Sequence, residues 1–578
     1  MNKIIINIFI LLWVAVGAMA QTATVTGTVT DDMGPVIGAT VTVQGTSIGA
    51  TTDLDGKFTL TGVSNVAKAV LIVRYVGMEE AKEPLKGRTS NINIHMKEAV
   101  GMLDDVVVIG YGTQKRGNLT GSIASVSGKI LEKVQTTSAA EAIVGKLPGV
   151  QVTAVDGSPD AEIKILVRGG GSITQDNSPL IILDGFEVGS LNDVPPTDIE
   201  SIEVLKDAAS TAIYGARGAN GVILVTTKRP VEGRVVISLN TYVQTKELSN
   251  KLDVMDPYEF VLMQYENARQ KSSNPTAFNN KYGHAYEHYI YQGNAGKDWQ
   301  DEVFGRTALV QSHNVAINGG TKATKYTFSF SRSDEEGILM NSDFERNSFK
   351  FKFDTKANDR VTFSANGSYM DRKTLGNGTS EATNSSAYSP LINIITYAPF
   401  GSSSLDEFME EEFDEDSNET SALNPKYMTS SIQKERLVRS LQFNGAMSYK
   451  LHKNLTLRVS GGYNRTWDDT NMFYTAISDY ARRNGGPSGS MYEQDKDKWN
   501  TSNTLTYTKK FGRDHDLTVM IGQEANKLHY FSKTLTANGF PNEDKKFSDL
   551  KPATTKQLES NEYSEALLSF FGRANYTY

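Results

Sequence analysis

Ile163-Lys-Ile-Leu-Val-Arg168-Gly169-Gly-Gly-Ser172 opens the stretch that decides the fold, and Pro179-Leu-Ile-Ile-Leu-Asp184-Gly185 follows it. Next come Asp198-Ile-Glu-Ser-Ile-Glu203-Val-Leu-Lys206-Asp207 and Ile213-Tyr214-Gly215-Ala-Arg217-Gly-Ala-Asn220-Gly221-Val-Ile-Leu-Val-Thr-Thr-Lys228. Short runs of β-formers alternate with glycine turns and one short helix candidate, the pattern of a small α/β domain. The glycines after Arg168 are not a phosphate loop, because no Lys-Ser/Thr pair and no helix start follows them. Arg168, Glu203, Lys206 and Arg217 stand out as charges in an apolar, glycine-rich context.

Upstream, residues 1–20 read as a secretory signal. Lys3 is the basic start, residues 4–16 are apolar except for Asn7, and Ala18-Met19-Ala20 is a cleavage site before Gln21. A membrane anchor is the alternative, but the run is short and the small-residue site follows at once. The chain has no Cys, so it carries no lipoprotein anchor site and no disulfide. A net charge of −8 argues against a nucleic-acid partner.

Residues 22–97 alternate like a β-sandwich. Val25-Thr-Gly-Thr-Val-Thr30, Ala39-Thr-Val-Thr-Val-Gln44, Lys57-Phe-Thr-Leu60 and Val70-Leu-Ile-Val-Arg-Tyr75 read as strands between turn residues. Asp53, Asp55 and Gly56 fall short of a calcium loop and read as a hairpin turn. Then comes Leu103-Asp-Asp105-Val106-Val107-Val108-Ile109-Gly110-Tyr111-Gly-Thr-Gln-Lys115, a short extended segment near a domain boundary. Such a segment can add as an edge strand to another protein. Within residues 113–230, residues 139–146 and 207–214 read as short helices, the first capped by Ser138.

From residue 234 the pattern becomes long strands of period two. Phe349-Lys-Phe-Lys-Phe-Asp354 puts three aromatics on one face and Lys, Lys, Asp on the other. Ten such runs are legible, near 235–245, 308–318, 323–334, 345–356, 359–371, 437–451, 454–468, 499–511, 515–526 and 564–578. The joins after even-numbered runs are short and most of those after odd-numbered runs are long. Short turns at one end and long loops at the other are the arrangement of outer-membrane barrels. No stretch after the signal is long and apolar enough for a membrane helix, so a membrane location requires a barrel.

Together these stretches closely resemble the SusC/RagA-type TonB-dependent transporters of Gram-negative outer membranes. The resemblance implies a mainly β chain: a carboxypeptidase-regulatory-like β-sandwich at 22–97, a TonB-box-like segment at 104–112, an α/β plug at 113–230 and an antiparallel transmembrane β-barrel from 234 to 578. It places the box at Asp105, Val106, Val107, Val108, Ile109, Gly110 and Tyr111; the first strand of the plug is the other reading of that segment. It places the plug motif at Arg168, Gly169, Asp184, Gly185, Glu203, Lys206, Tyr214, Gly215, Arg217, Asn220 and Gly221. In the family, charges such as Arg168, Glu203, Lys206 and Arg217 pin plug to barrel wall; ordinary surface ion pairs are the alternative for each. The resemblance implies a barrel of about 22 strands, of which about ten are present. The chain therefore reads as a fragment whose open sheet edges would not be tolerated in lipid.

The function implied is TonB-dependent import of a nutrient, foremost an oligosaccharide, across the outer membrane. Implied partners are TonB with its ExbB/ExbD energy supply, a SusD-like surface lipoprotein and the membrane itself. A siderophore- or cobalamin-type receptor and a non-functional fragment are the alternatives. No cofactor is implied, and no catalytic set of Ser-His-Asp or Cys-His type is legible. His284-Ala-Tyr-Glu287-His288 matches an inverted zincin pattern, but it falls in the first long loop among Tyr282, Tyr286, Tyr289 and Tyr291. These aromatics suit sugar stacking or lid packing better. The acidic run at 407–419 could hold calcium, though a solvated loop is the plainer reading.

Overall fold

The computed structural model describes residues 22–31, 34–46, 48–75, 78–96, 106–109, 112–115, 123–155, 157–159, 161–271, 275–376, 390–400, 424–483, 485–512 and 515–578. The signal at 1–20, Asp105, Gly110, Tyr111 and the acidic run at 407–419 lie outside them. Two compact units divide the chain: residues 1–107 with 113–119, and residues 108–112 with 120–578.

The first unit is a sandwich of two four-stranded sheets. In one, Ala23–Asp31 pairs antiparallel with Lys57–Val63 and parallel with Ile92–His95. In the other, Thr40–Val43 and Val70–Arg74 form the centre. Alternation sends Val25, Val29, Phe58 and Leu60 from the first sheet, and Val41, Val43, Leu71 and Val73 from the second, into one core. The legible strands are these central ones. Ala81–Pro84, an edge strand of sequence Ala-Lys-Glu-Pro, has no apolar alternation to announce it. At the Asp53 turn, Oδ1 of Asp53 accepts from the backbone N–H of Asp55 (3.0 Å) and Lys57 (2.8 Å), as in a side-chain-closed hairpin turn.

In the second unit a five-stranded sheet runs in the order Ile123–Ser127, Ile199–Leu205, Val222–Thr227, Leu180–Leu183, Phe186–Val188. A two-stranded hairpin, Val150–Ala154 with Val167–Ile163, accompanies it. Ile202, Val204, Ile223 and Val225 build its core with Leu131, Ala139, Ile143 and Leu191. The expected helices are shorter than their sequence runs. Ala139–Ala142 starts on the Ser138 side chain, and Gly145 stands at φ 68° shortly after it. Ala208–Thr211 starts on the Asp207 side chain, then continues as a tight helical turn to Gly218, broken at Gly215 (φ 59°, ψ −146°). Only glycine adopts that backbone conformation without strain.

The remaining strands form one antiparallel ten-stranded sheet in chain order: Gly233–Lys246, Ala308–Gly320, Thr324–Glu336, Asp343–Lys356, Val361–Leu375, Ile432–His452, Leu455–Tyr474, Ser488–Phe511, His515–Asn538 and Thr555–Thr577. Among the described residues the first and last each pair on one side only. Short turns at 321–323, 357–360, 453–454 and 512–514 alternate with longer connections at 247–307, 337–342, 376–431, 475–487 and 539–554. The strands reach further toward the long loops than the sequence runs suggest. Ser488–Phe511 begins eleven residues before the legible run at 499, through Glu493-Gln-Asp-Lys-Asp-Lys498. That segment carries no apolar face, so no dyad pattern marks it.

The two faces of this sheet differ. Phe330, Phe349, Tyr369 and Leu441 stand opposite one another across four strands, and Phe351, Phe443 and Tyr463 lie one row along on the same face. This apolar band ends toward the long loops in ion pairs: Arg332–Glu345 (2.8 Å), Lys373–Glu435 (3.3 Å), Arg439–Asp469 (2.6 Å) and Arg465–Asp495 (3.2 Å). An apolar band bordered by aromatics and then charges is the outer surface of a membrane barrel. Among the described residues no helix is long and apolar enough to span a membrane.

Candidate functional site

The opposite face of the sheet, polar by alternation, meets the five-stranded domain. Because Phe349, Phe351 and Phe353 point outward, Arg346, Lys350 and Lys352 point inward. Lys350 Nζ lies 2.9 Å from Asp198. Lys352 Nζ lies 3.2 Å from Asp184 and donates to Thr227 Oγ1 at 3.0 Å. Arg346 is fully buried and donates to the backbone carbonyls of Asn192 (2.7 Å) and Thr137 (2.5 Å). On the next strand Arg372 pairs with Asp193 at 2.8 Å. Four cations of one barrel hairpin thus face plug carboxylates and carbonyls. A cavity of about 390 Å³ remains beside them, lined by Asp184, Asp198, Thr227, Asn314, Lys350 and Lys352 among others.

A second network joins the plug to later strands. Arg217 donates to Glu524 (2.6 Å) and to Glu187 (3.0 Å), and Lys498 donates to Glu187 at 2.7 Å. Burial pushes the Glu187 carboxyl up, but Lys498 and Arg217 outweigh it and hold it below the ordinary carboxylate range. Glu187 therefore stays ionised at neutral pH and serves as the link between two cations.

The motif residues fall into three roles. Asp184 (φ 49°) and Gly185 (φ 91°) make the two-residue turn between Leu180–Leu183 and Phe186–Val188, an Asp-Gly pair that suits a tight hairpin with positive φ at both turn positions. Asp184 also accepts from the Thr227 N–H (3.0 Å) and hydroxyl (2.6 Å), which fixes its carboxylate toward Lys352. Of the four charges picked out in the sequence, Arg217 reaches the barrel, at Glu524. Lys206 Nζ instead donates to the Pro148 carbonyl (3.0 Å) within the plug. Arg168 (φ 59°) and Gly169 (φ 90°) form an exposed turn after Ile163–Val167, and Glu203 is buried on Ile199–Leu205. Tyr214 is buried, and burial raises its phenol. Gly215 kinks the helical turn. Asn220 donates to the Asp176 carbonyl (3.1 Å), and Gly221 (φ 90°) packs so closely on Val167 that a β-carbon would come within 2.9 Å of it. The barrel partners Arg346, Lys350, Lys352, Arg372 and Lys498 were not singled out in the sequence.

Val106–Ile109 and Gly112–Lys115 are strands that pair with each other. The zincin-like triplet does not assemble a metal site. His288 is buried against Tyr265 and Phe278, with Nε2 3.2 Å from the Gly283 carbonyl, while Glu287 accepts from the His284 N–H at 2.7 Å. Tyr282 and Tyr291 pack on Phe400 as the core of that loop; Tyr286 and Tyr289 remain exposed. Among the described residues no group of three or more His, Asp or Glu side chains could hold a metal.

A plug domain tied by charge to the polar face of a transmembrane sheet defines a TonB-dependent outer-membrane receptor. Residues 115–222 match the TonB-dependent receptor plug domain family, and residues 25–108 match the CarboxypepD_reg-like domain family. TonB-dependent receptor SusC of Bacteroides thetaiotaomicron is 31% identical over 615 residues, covering 100% of this chain and 57% of that protein. TonB-dependent receptor P3 of Formosa agariphila is 30% identical over 597 residues, covering 100% of this chain and 55% of that protein. The solved RagAB peptide transporter is similar at 25% identity and a TM-score of 0.65, over 80% of this chain and 54% of that one. These domain matches and the whole-chain similarity to TonB-dependent receptors support a SusC/RagA-type TonB-dependent transporter. It spans about half the length of the curated relatives it matches.

Proposed function

We propose that the chain supplies the plug and ten barrel strands of an active importer of the outer membrane. The observation that carries this reading is the plug itself, held on the inner wall by Asp184–Lys352, Asp198–Lys350, Asp193–Arg372 and Arg217–Glu524. A domain so placed obstructs a lumen, and ion pairs can be broken by a pull without chemistry. A nutrient is captured between the long loops and a SusD-like surface lipoprotein. TonB, energised through ExbB/ExbD by the inner-membrane proton gradient, then takes residues 105–111 by strand addition and draws the plug aside.

The cargo we favour is an oligosaccharide. The inner wall presents Asn366, Gln442, Asn444, Asn500 and Asn526, uncharged groups that both donate and accept, as vicinal hydroxyls require. Exposed Tyr286 and Tyr289 in the first long loop suit stacking on sugar rings. A peptide cargo is the second reading, favoured by the likeness to the RagAB peptide transporter. Uptake of labelled oligosaccharide and labelled peptide by intact cells, with and without a proton uncoupler, tests both. Oligosaccharide uptake that ceases with the uncoupler is expected. Peptide uptake alone would favour the second reading, and uptake that ignores the uncoupler would overturn the energised mechanism.

A further inference from the structure

We propose that residues 184–187 are the latch that holds the plug shut, with Phe186 seated on Gly462 as the contact that sets its position. This rests on the transport reading above. One four-residue segment meets three barrel strands. Asp184 meets Lys352 on Asp343–Lys356, Glu187 meets Lys498 on Ser488–Phe511, and Phe186 meets Gly462 on Leu455–Tyr474.

The Phe186 contact exists because position 462 is glycine. A β-carbon there would lie 2.6 Å from Cδ1 of Phe186, 2.4 Å from Oδ1 of Asn444 and 2.6 Å from Oδ1 of Asn500. Gly462 is therefore a slot in the wall, with Asn444 and Asn500 directly opposite it on the two neighbouring strands. The backbone there is not left-handed, so the slot, and no demand for a special φ, is what the glycine provides. The Asp184–Gly185 turn delivers the ring, since Phe186 is the first residue after it.

The segment is also the part of the plug sheet best placed to move. Among the described residues Phe186–Val188 is an edge strand bonded only to Leu180–Leu183, and edge strands open without breaking the interior ladder. The other wall contacts differ: Arg346 and Arg372 hold loop residues, and Lys350 holds Asp198 beside the interior strand Ile199–Leu205. Release of the 184–187 segment frees the plug's edge from three strands, while Arg346, Lys350 and Arg372 on the fourth and fifth strands and Glu524 on the ninth keep their hold.

The chain has no Cys, so introduced thiols report alone. Val188→Cys serves as the reporter, because Val188 is half-buried on the edge strand and packs against the plug core. In outer membranes without energised TonB, Gly462→Val and Phe186→Ala should each raise the thiol-labelling rate at that reporter about tenfold and admit an ion leak in planar bilayers. Separately, Glu187→Cys with Lys498→Cys, bridged by a reducible bifunctional thiol reagent, should stop uptake while leaving cargo binding intact, and reduction should restore it. Unchanged labelling and no leak in both seat variants would overturn the proposal, as would full uptake with the bridge in place. If the seat variants behave as expected but no cargo enters through the unmodified protein, the latch stands and the transport reading fails.

Discussion

Lys352 stands 3.2 Å from Asp184, joining a barrel strand to the turn of the plug hairpin, and both side chains are largely buried. Removing the lysine strands a carboxylate that still accepts from Thr227, so the loss falls short of that for an isolated buried charge. Lys352→Ala is expected to weaken plug seating by about 1–3 kcal/mol. Asp184→Asn should cost less, because the amide oxygen keeps one Thr227 bond. Urea-induced release of the plug, followed by protease cleavage within residues 163–228, measures both.

The Glu187 bridge sets a pH window. Its carboxyl is depressed by Lys498 and Arg217, so its contribution is fully present above the ordinary carboxylate value of about 4.3 and is lost as pH falls through the lower, folded value. Ion leak through the closed protein should stay flat from about pH 5 to 8 and rise only in more acid solution. Glu187→Gln should show the acid-state leak already at neutral pH.

Lipid-facing and water-facing positions of the same face should respond unequally. Phe351→Arg places a charge within the apolar band and should cost about 2–4 kcal/mol of folding stability in lipid vesicles. Arg465→Gln, in the charged border, should cost less than about 1 kcal/mol, since exposed ion pairs contribute little. Urea titration of vesicle-embedded protein by tryptophan fluorescence separates the two.

His288 packs on Tyr265 and Phe278, so His288→Ala should loosen the first long loop, whereas His284→Ala should not. A zinc chelator should change neither loop protection nor cargo binding. Hydrogen exchange over residues 257–304 provides the readout.

The sequence made the sheet legible where lipid faces it. Phe349-Lys-Phe-Lys-Phe353 shows its two faces outright, and the same alternation placed Lys350 and Lys352 inside, where they meet Asp198 and Asp184. That alternation alone nominates the two lysines as partners for plug carboxylates. Arg168 lies in an exposed turn at φ 59°. The segment Glu493–Lys498 carried no pattern, since Lys498 meets Glu187 on one face and Asp495 meets Arg465 on the other, so neither face is apolar. Gly462 was illegible in principle: only the register that sets Asn444 and Asn500 beside it shows which glycine receives Phe186.

The most direct test of energised import is deletion of residues 105–111, followed by parallel assays of cargo binding at the cell surface and cargo uptake. Binding at the unmodified level with uptake lost is the expected result, because the segment transmits force and does not touch cargo. Undiminished uptake after the deletion would contradict the account.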